Sequence, residues 1–197
     1  ITGASGVVYG TELVDWLLSN GHQVYLVLSD PARLVLTQEL DWEIKSCQEA
    51  AKYFKPGNLT CFENSDIGAP IASGSFIHDG MAVVPCSMST LAGIAQGTSN
   101  NLIERAADVC LKEGRKLVLV PRETPLNLIH LRNMLAAVEA GARMAVGIME
   151  RLRFSSREIR TVESLVADHL RFKDVRRMRE STLRRFLRQP YFEELLE

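Results

Sequence analysis

Along the first three quarters of the chain, short apolar runs alternate with stripes of helical spacing. Gln23-Val-Tyr-Leu-Val-Leu-Ser29, Leu59 to Glu63, Met81-Ala-Val-Val84, Lys116 to Val120 and Arg143 to Ile148 are short enough, and β-branched or apolar enough, to form buried strands. Between them, Ser5 to Asn20 carries Val8, Leu13, Leu17 and Leu18 near helical spacing and stops at Asn20-Gly21. Asp30-Pro31 opens a second helix with a capping residue and a proline in the first turn, and residues 41 to 54 are mixed until Pro56-Gly57-Asn58 breaks them. Helices are also predicted after the Met81 strand, over Asn100 to Gly114, and over Leu126 to Ala140 before Gly141. Such alternation predicts an α/β fold: a doubly wound, mainly parallel sheet in three layers, with right-handed crossovers placing helices on both faces.

Two stretches depart from this rhythm. Asn64 to Gly80 is a long loop containing Pro70 and Ala72-Ser-Gly-Ser75, and its length predicts a functional or mobile segment. From Met149 the alternation ends; Thr161 to Phe172 and Asp174 to Leu187 read as helices, the second very basic, before Pro190. The expected organisation is an α/β domain over residues 1–148 and a helical tail over residues 149–197. Because Ile1 stands directly before a glycine turn, a strand is expected ahead of it.

The chain is organised around the corner after Met81 to Val84. Pro85 is expected to stop that strand, since it has no N–H for the ladder, and Cys86, Ser87, Ser89 and Thr90 then lead into the Leu91-Ala-Gly-Ile94 helix closed by Gly97. Small hydroxyl residues at a helix start leave N–H groups facing outward, which suits an anion or a polar ligand edge. In an open parallel sheet the carboxyl ends of the strands share one margin. The Thr2-Gly-Ala-Ser-Gly6 turn, Ser29 and the Arg122-Glu123 pair are therefore expected to converge with this corner on one site. The helix from Pro31 is expected to carry Glu39 about two turns from that margin, toward the crevice mouth or a neighbouring subunit.

Composition narrows the function. A net charge of −1 gives no basis for a nucleic-acid partner, and the basic tail reads as a solvated face or an oligomer arm. Cys47, Cys61, Cys86 and Cys110 form no CxxC pair, and three of them are expected as buried thiols in a reducing, cytoplasmic setting. No apolar run is long enough to span a bilayer. Gly3-Ala-Ser-Gly6 lacks the three-glycine dinucleotide pattern, and no acidic residue ends the Gln23 to Ser29 strand. His130 sits among Leu126, Ile129 and Met134 and is expected to be structural, while Trp16 and Trp42 receive no role.

Read together, Gly3-Ala-Ser-Gly6, Ser73-Gly-Ser75, Pro85-Cys-Ser-Met-Ser-Thr90, Asn101-Leu-Ile-Glu-Arg-Ala-Ala-Asp108, Leu111 to Pro125 and His130-Leu-Arg-Asn-Met134 resemble the UbiX-type flavin prenyltransferases over residues 1 to 145. The resemblance implies a Rossmann-like or flavodoxin-like flavoprotein fold and a homo-oligomer, usually a dodecamer. It also implies a metal-independent transferase that joins a dimethylallyl group from dimethylallyl phosphate to N5 and C6 of reduced FMN. The prenylated FMN then serves a partner decarboxylase, in ubiquinone biosynthesis or aromatic-acid breakdown.

By the same resemblance, Gly3, Ala4, Ser5, Ser29, Ser87, Met88, Ser89, Thr90 and Arg122 would contact FMN. Glu39, Arg105 and Lys112 would surround the prenyl donor, with the two cations on its phosphate, and Ser5 and Glu123 would handle protons or orient phosphate. The residue types suit these tasks: hydroxyls and N–H groups accept flavin edges and phosphate, a guanidinium makes paired planar bonds, and fixed cations stabilise a departing phosphate. The family's Pro-Gly-Phe-Tyr type segment is not found in Met144 to Arg160, where Phe154 has no hydroxyl to offer. Arg171 and Lys173 are the possible replacements for the later basic residue of that site. The tail then reads either as a variant donor pocket or as the product of a shifted reading frame. FMN binding stands under both, with a catalytically impaired FMN-binding or carrier protein as the alternative function. A cysteinyl-peptide decarboxylase is disfavoured, because no Asn-Xaa-Xaa-Met-Trp clamp is present.

Overall fold

The computed structural model describes residues 1–144. Five strands, β1 (Val24–Leu28), β2 (Leu59–Glu63), β3 (Gly80–Cys86), β4 (Lys116–Pro121) and β5 (Arg143–Met144), alternate with helices. The helices are α1 (Val7–Ser19), α2 (Asp30–Leu40), α3 (Cys47–Ala50), α4 (Met88–Gln96), α5 (Leu102–Lys112) and α6 (Leu128–Glu139). All described strand pairs are parallel: β1 with β2, and β3 with β4 with β5. The expectations for residues 149–197, including both tail helices and the domain boundary at 148, lie outside the described residues.

The apolar pattern accounts for the packing. Val24, Leu26 and Leu28 of β1 point inward while Tyr25 faces out, as a half-covered strand requires. On α5, Leu102, Ile103, Ala106, Ala107, Val109 and Cys110 form one buried stripe. Each buried aliphatic side chain of Leu or Ile size contributes about 1.5–3 kcal/mol.

Ile1 and Thr2 join the two groups of strands. The Ile1 nitrogen donates to the Val27 carbonyl at 2.9 Å, the Ser29 amide donates to the Ile1 carbonyl at 3.2 Å, and the Thr2 amide donates to the Pro85 carbonyl at 3.2 Å. Next to this junction, β1 and β3 line a cavity of about 700 Å³ whose walls include Val24, Val27, Met81 and Val83.

One local expectation is corrected. Pro85 does not end β3, which continues to Cys86 through a register irregularity after Val83, with Cys86 opposite Pro121. The missing proline N–H is accommodated at that irregularity, and the Pro85 carbonyl is turned to Thr2 instead. The segment from Asn64 to Gly80 is a loop, as expected, with one short helical turn at Pro70–Ala72. It is laid along α5, whose Leu102 amide donates to the Asn64 carbonyl at 2.8 Å and whose Ile103 amide donates to Asn64 Oδ1 at 3.1 Å. At the far end of α5, Arg115 donates to the Phe76 and Gly74 carbonyls at 2.6 and 2.5 Å.

Candidate active site

The first turn is held from above by α2. Gly6 sits at φ +88°, a conformation that favours glycine, and begins α1 without a side-chain cap of its own. The cap comes from Glu39, whose carboxylate accepts the Gly6 amide at 2.9 and 3.0 Å and the Val7 amide at 3.1 Å. Glu39 is therefore not carried off the margin. Pro31 packs so closely on Gly3 that an added Cβ there would lie 2.2 Å from the proline ring, and α2 thus lies across the turn with its far end back on it. The α1 N-terminus supplies the attraction, since its unpaired N–H groups favour a negative charge.

The other corners share this margin through backbone contacts. Ser29, which is buried, caps α2 by accepting the Ala32 amide at 3.2 Å, and its own amide is tied to Ile1. Thr2 is wholly buried; its hydroxyl donates to the Pro85 carbonyl at 2.8 Å and accepts the Ser87 amide at 2.7 Å. Ser87 caps α4 by accepting the Thr90 amide at 3.3 Å and donates its hydroxyl to Thr90 Oγ1 at 3.1 Å. The Arg122 amide donates to the Cys86 carbonyl at 3.1 Å, which fixes the end of β4 beside the same corner. Glu123 accepts the Thr124 amide at 3.1 Å. Gly3, Ala4, Ser5, Ser29, Glu39, Ser87 to Thr90, Arg122 and Glu123 thus lie along one edge.

Within one copy, neither Arg105 nor Lys112 makes a hydrogen bond or ion pair with the described residues of that edge. They lie with Asp108 on the face of α5 opposite its buried stripe, Arg105 pairing with Asp108 at 3.1 Å and Lys112 with Glu113 at 3.1 Å. Lys112 ends α5 just before β4 begins, whereas Arg122 follows the end of β4, about 17 Å further along a strand of that length.

Thr2, Glu104 and Asn64 organise the region without having been singled out in the sequence. Glu104 is a buried acid whose carboxylate accepts Thr98 Oγ1 at 2.7 Å, the Asn101 side-chain amide at 2.8 Å and the Asn100 amide at 2.9 Å. The signal for Thr2 was a hydroxyl at the last position before a glycine turn. Local spacing holds no signal for Asn64, whose partners are 38 and 39 residues away along the sequence. His130 closes a capping box at the start of α6, where Asn127 Oδ1 accepts the His130 amide at 2.9 Å and His130 Nδ1 accepts the Asn127 amide at 3.4 Å.

Three of the four thiols are held protonated, while the hydrogen bond with Cys61 pulls Cys47 the other way, below the usual thiol range. Burial pushes the Cys86 thiol up to about 12 and the Cys110 thiol up to about 11. A hydrogen bond to Cys47, together with burial, raises Cys61. Among the described residues no group of His, Cys, Asp and Glu gathers to hold a metal ion, and no helix is long and apolar enough to cross a membrane.

What the edge offers is donors. The first amides of α4, those of Met88 and Ser89, have no acceptor within the helix, and the Ser29 hydroxyl spends only its acceptor side on Ala32. Among the described residues the Arg122 side chain makes no ion pair. Hydroxyls, helix-start amides and a guanidinium along one margin fit a phosphorylated ligand with a carbonyl-rich ring edge, which is the chemistry of FMN.

Comparison with known proteins agrees. The Flavoprotein family profile matches residues 1–167. A flavin prenyltransferase UbiX of Alkalihalophilus pseudofirmus is 50% identical over 145 residues, covering 72% of each chain. The chain belongs to the UbiX-type flavin prenyltransferases. Among solved structures, AnUbiX in complex with FMN and dimethylallyl pyrophosphate is 38% identical, with 88% of each chain covered and a TM-score of 0.68. A dodecameric FMN-dependent UbiX-like decarboxylase from Escherichia coli O157:H7 is 39% identical, covering 84% of this chain and 86% of its own, with a TM-score of 0.65. The doubly wound α/β fold expected from the sequence is the fold of these UbiX-type relatives.

Proposed function

We propose that this protein transfers a dimethylallyl group from dimethylallyl phosphate to reduced FMN, and that the edge from Gly3 to Arg122 holds the flavin. The observation that carries this reading is the Thr2 hydroxyl, which binds Pro85 and Ser87 together and so aligns the first turn with the α4 corner. FMN supplies the nucleophilic ring positions when bound. The chain's own residues do the rest. Ser29, the α4 amides and Arg122 orient the flavin, and Glu123 and Ser5 stand where a proton can be taken up or passed on.

Breaking the donor's carbon–oxygen bond leaves negative charge on phosphate, which Arg105 and Lys112 are suited to stabilise. Because neither pairs with that edge in its own copy, they serve the crevice of a neighbouring copy in a homo-oligomer, as the dodecameric relative supports. The product is handed to a partner decarboxylase in the cytoplasm, and ubiquinone biosynthesis is one pathway it would serve.

Anaerobic incubation with reduced FMN and dimethylallyl phosphate tests the reading by mass spectrometry of the flavin. A gain of one dimethylallyl unit, with release of phosphate, is expected. Bound but unaltered flavin would instead identify a carrier.

A further inference from the structure

We propose that Arg33 and Glu63 are positioning residues for the flavin edge: their ion pair fixes the roll of α2 and so places Ser29 and Glu39 together on that edge. This rests on the reading that the edge holds FMN, and adds two residues that brace it from behind. The helix α2 meets the edge twice. At its start Ser29 caps it and Pro31 packs on Gly3, and at its end Glu39 accepts the Gly6 and Val7 amides. Between these points its buried side chains are Ala32 and Leu36, and apolar burial is non-directional.

Direction comes from the polar contacts on either side. At about 100° per residue, Arg33 and Glu39 stand about 120° apart around the helix axis, with Ala32 and Leu36 between them. Arg33 therefore holds one flank of the buried stripe and Glu39 the other. Arg33 Nη2 donates to Glu63 Oε2, Arg33 Nη1 donates to the Lys45 carbonyl at 3.0 Å, and Glu63 Oε1 accepts the Cys47 amide at 2.7 Å. Glu63 is itself fixed by the sheet. It ends β2 opposite Leu28, the residue before Ser29, and Asn64 beyond it is tied to the Leu102 and Ile103 amides of α5. The guanidinium fork thus ties α2 to the sheet and to the start of α3 at once, which the single ammonium of lysine does not reproduce. Arg33 and Glu63 are both partly buried, so water and salt screen this pair less than the contact of Arg33 with the exposed Asp30 at 3.8 Å.

The test compares assembled wild-type protein with Arg33→Met and Arg33→Lys. Arg33→Met should weaken FMN binding, read by flavin fluorescence, and raise KM for FMN about tenfold, while kcat at saturating FMN falls by about twofold at most. Arg33→Lys should recover part of the affinity. Hydrogen exchange at Gly6 and Val7 should quicken in Arg33→Met, because Glu39 loses its place, and this readout needs neither flavin nor turnover. Quicker exchange in the variant of a protein that fails to bind FMN would uphold the brace and sink only the flavin reading. Should Arg33→Met not fold, Glu63→Gln, which keeps the shape and removes the charge, carries the same expectations. Wild-type FMN affinity, or wild-type exchange at Gly6 and Val7, in the folded variant would overturn the proposal even if its stability had fallen.

Discussion

Thr2 and Ser87, 85 residues apart in sequence, are joined by a 2.7 Å hydrogen bond from the Ser87 amide to the Thr2 hydroxyl, which in turn donates a hydrogen bond to the Pro85 carbonyl. One buried hydroxyl therefore sets the spacing between the glycine turn and the start of α4. Thr2→Val keeps the shape but strands the Ser87 N–H, and should cost about 1–3 kcal/mol in urea unfolding. FMN affinity should fall with it, and Thr2→Ser should recover most of both. A Thr2→Val protein with wild-type stability and FMN affinity would show that the hydroxyl does not join the two corners.

Glu39 replaces the side-chain cap that α1 lacks. Glu39→Ala should lower stability by about 1 kcal/mol, and Glu39→Gln, which keeps one acceptor oxygen, should lose less. Hydrogen exchange at Gly6 and Val7 is the direct readout. Both amides should exchange faster in the alanine variant, and unchanged rates would remove Glu39 from the cap.

Gly93 lies under the buried Glu104, where an added Cβ would meet the carboxylate at 2.5 Å. Gly93→Ala should therefore destabilise the protein by about 1–3 kcal/mol. Glu104→Ala should destabilise it as well, by leaving the Thr98, Asn100 and Asn101 donors unmet. The double variant should be more stable than the sum of the two losses predicts, because removing the carboxylate removes the clash. Strict additivity in denaturant titrations would contradict that contact.

Cys86 links stability to alkaline pH. Its thiol ionises near pH 8.5 in an unfolded chain and near 12 when buried, so the folded state holds the proton more tightly. The stability this confers is complete below about pH 8.5 and is lost as pH rises toward 12, at about 1.4 kcal/mol per pH unit. Cys86→Ala should flatten the fall measured between pH 9 and 11. At pH 8 the folded wild-type protein should leave Cys86 unlabelled by a maleimide that modifies it readily in guanidinium.

The sequence by itself offered Asp30 as the cap of α2, where the structure uses Ser29, but it determined the order of strands and helices, the hydroxyl cap at the start of α4, and the end of α4 at Gly97, whose φ of +64° suits glycine. These depend on residues within one or two turns of each other, so periodicity and capping chemistry reach them. The family was legible for a related reason: its motifs are short and keep their order along the chain.

Only the tertiary structure decided that α2 folds back so that Glu39 caps the first turn, that Asn64 to Gly80 lies along α5, and that Lys112 stands at the opposite end of β4 from Arg122. It also decided that β3 runs through Pro85, because the proline's lost donor is absorbed by an irregularity that exists only against β4. Each of these turns on a partner brought in from a distant part of the chain, and hydrogen bonds of that reach leave no period in the sequence between them.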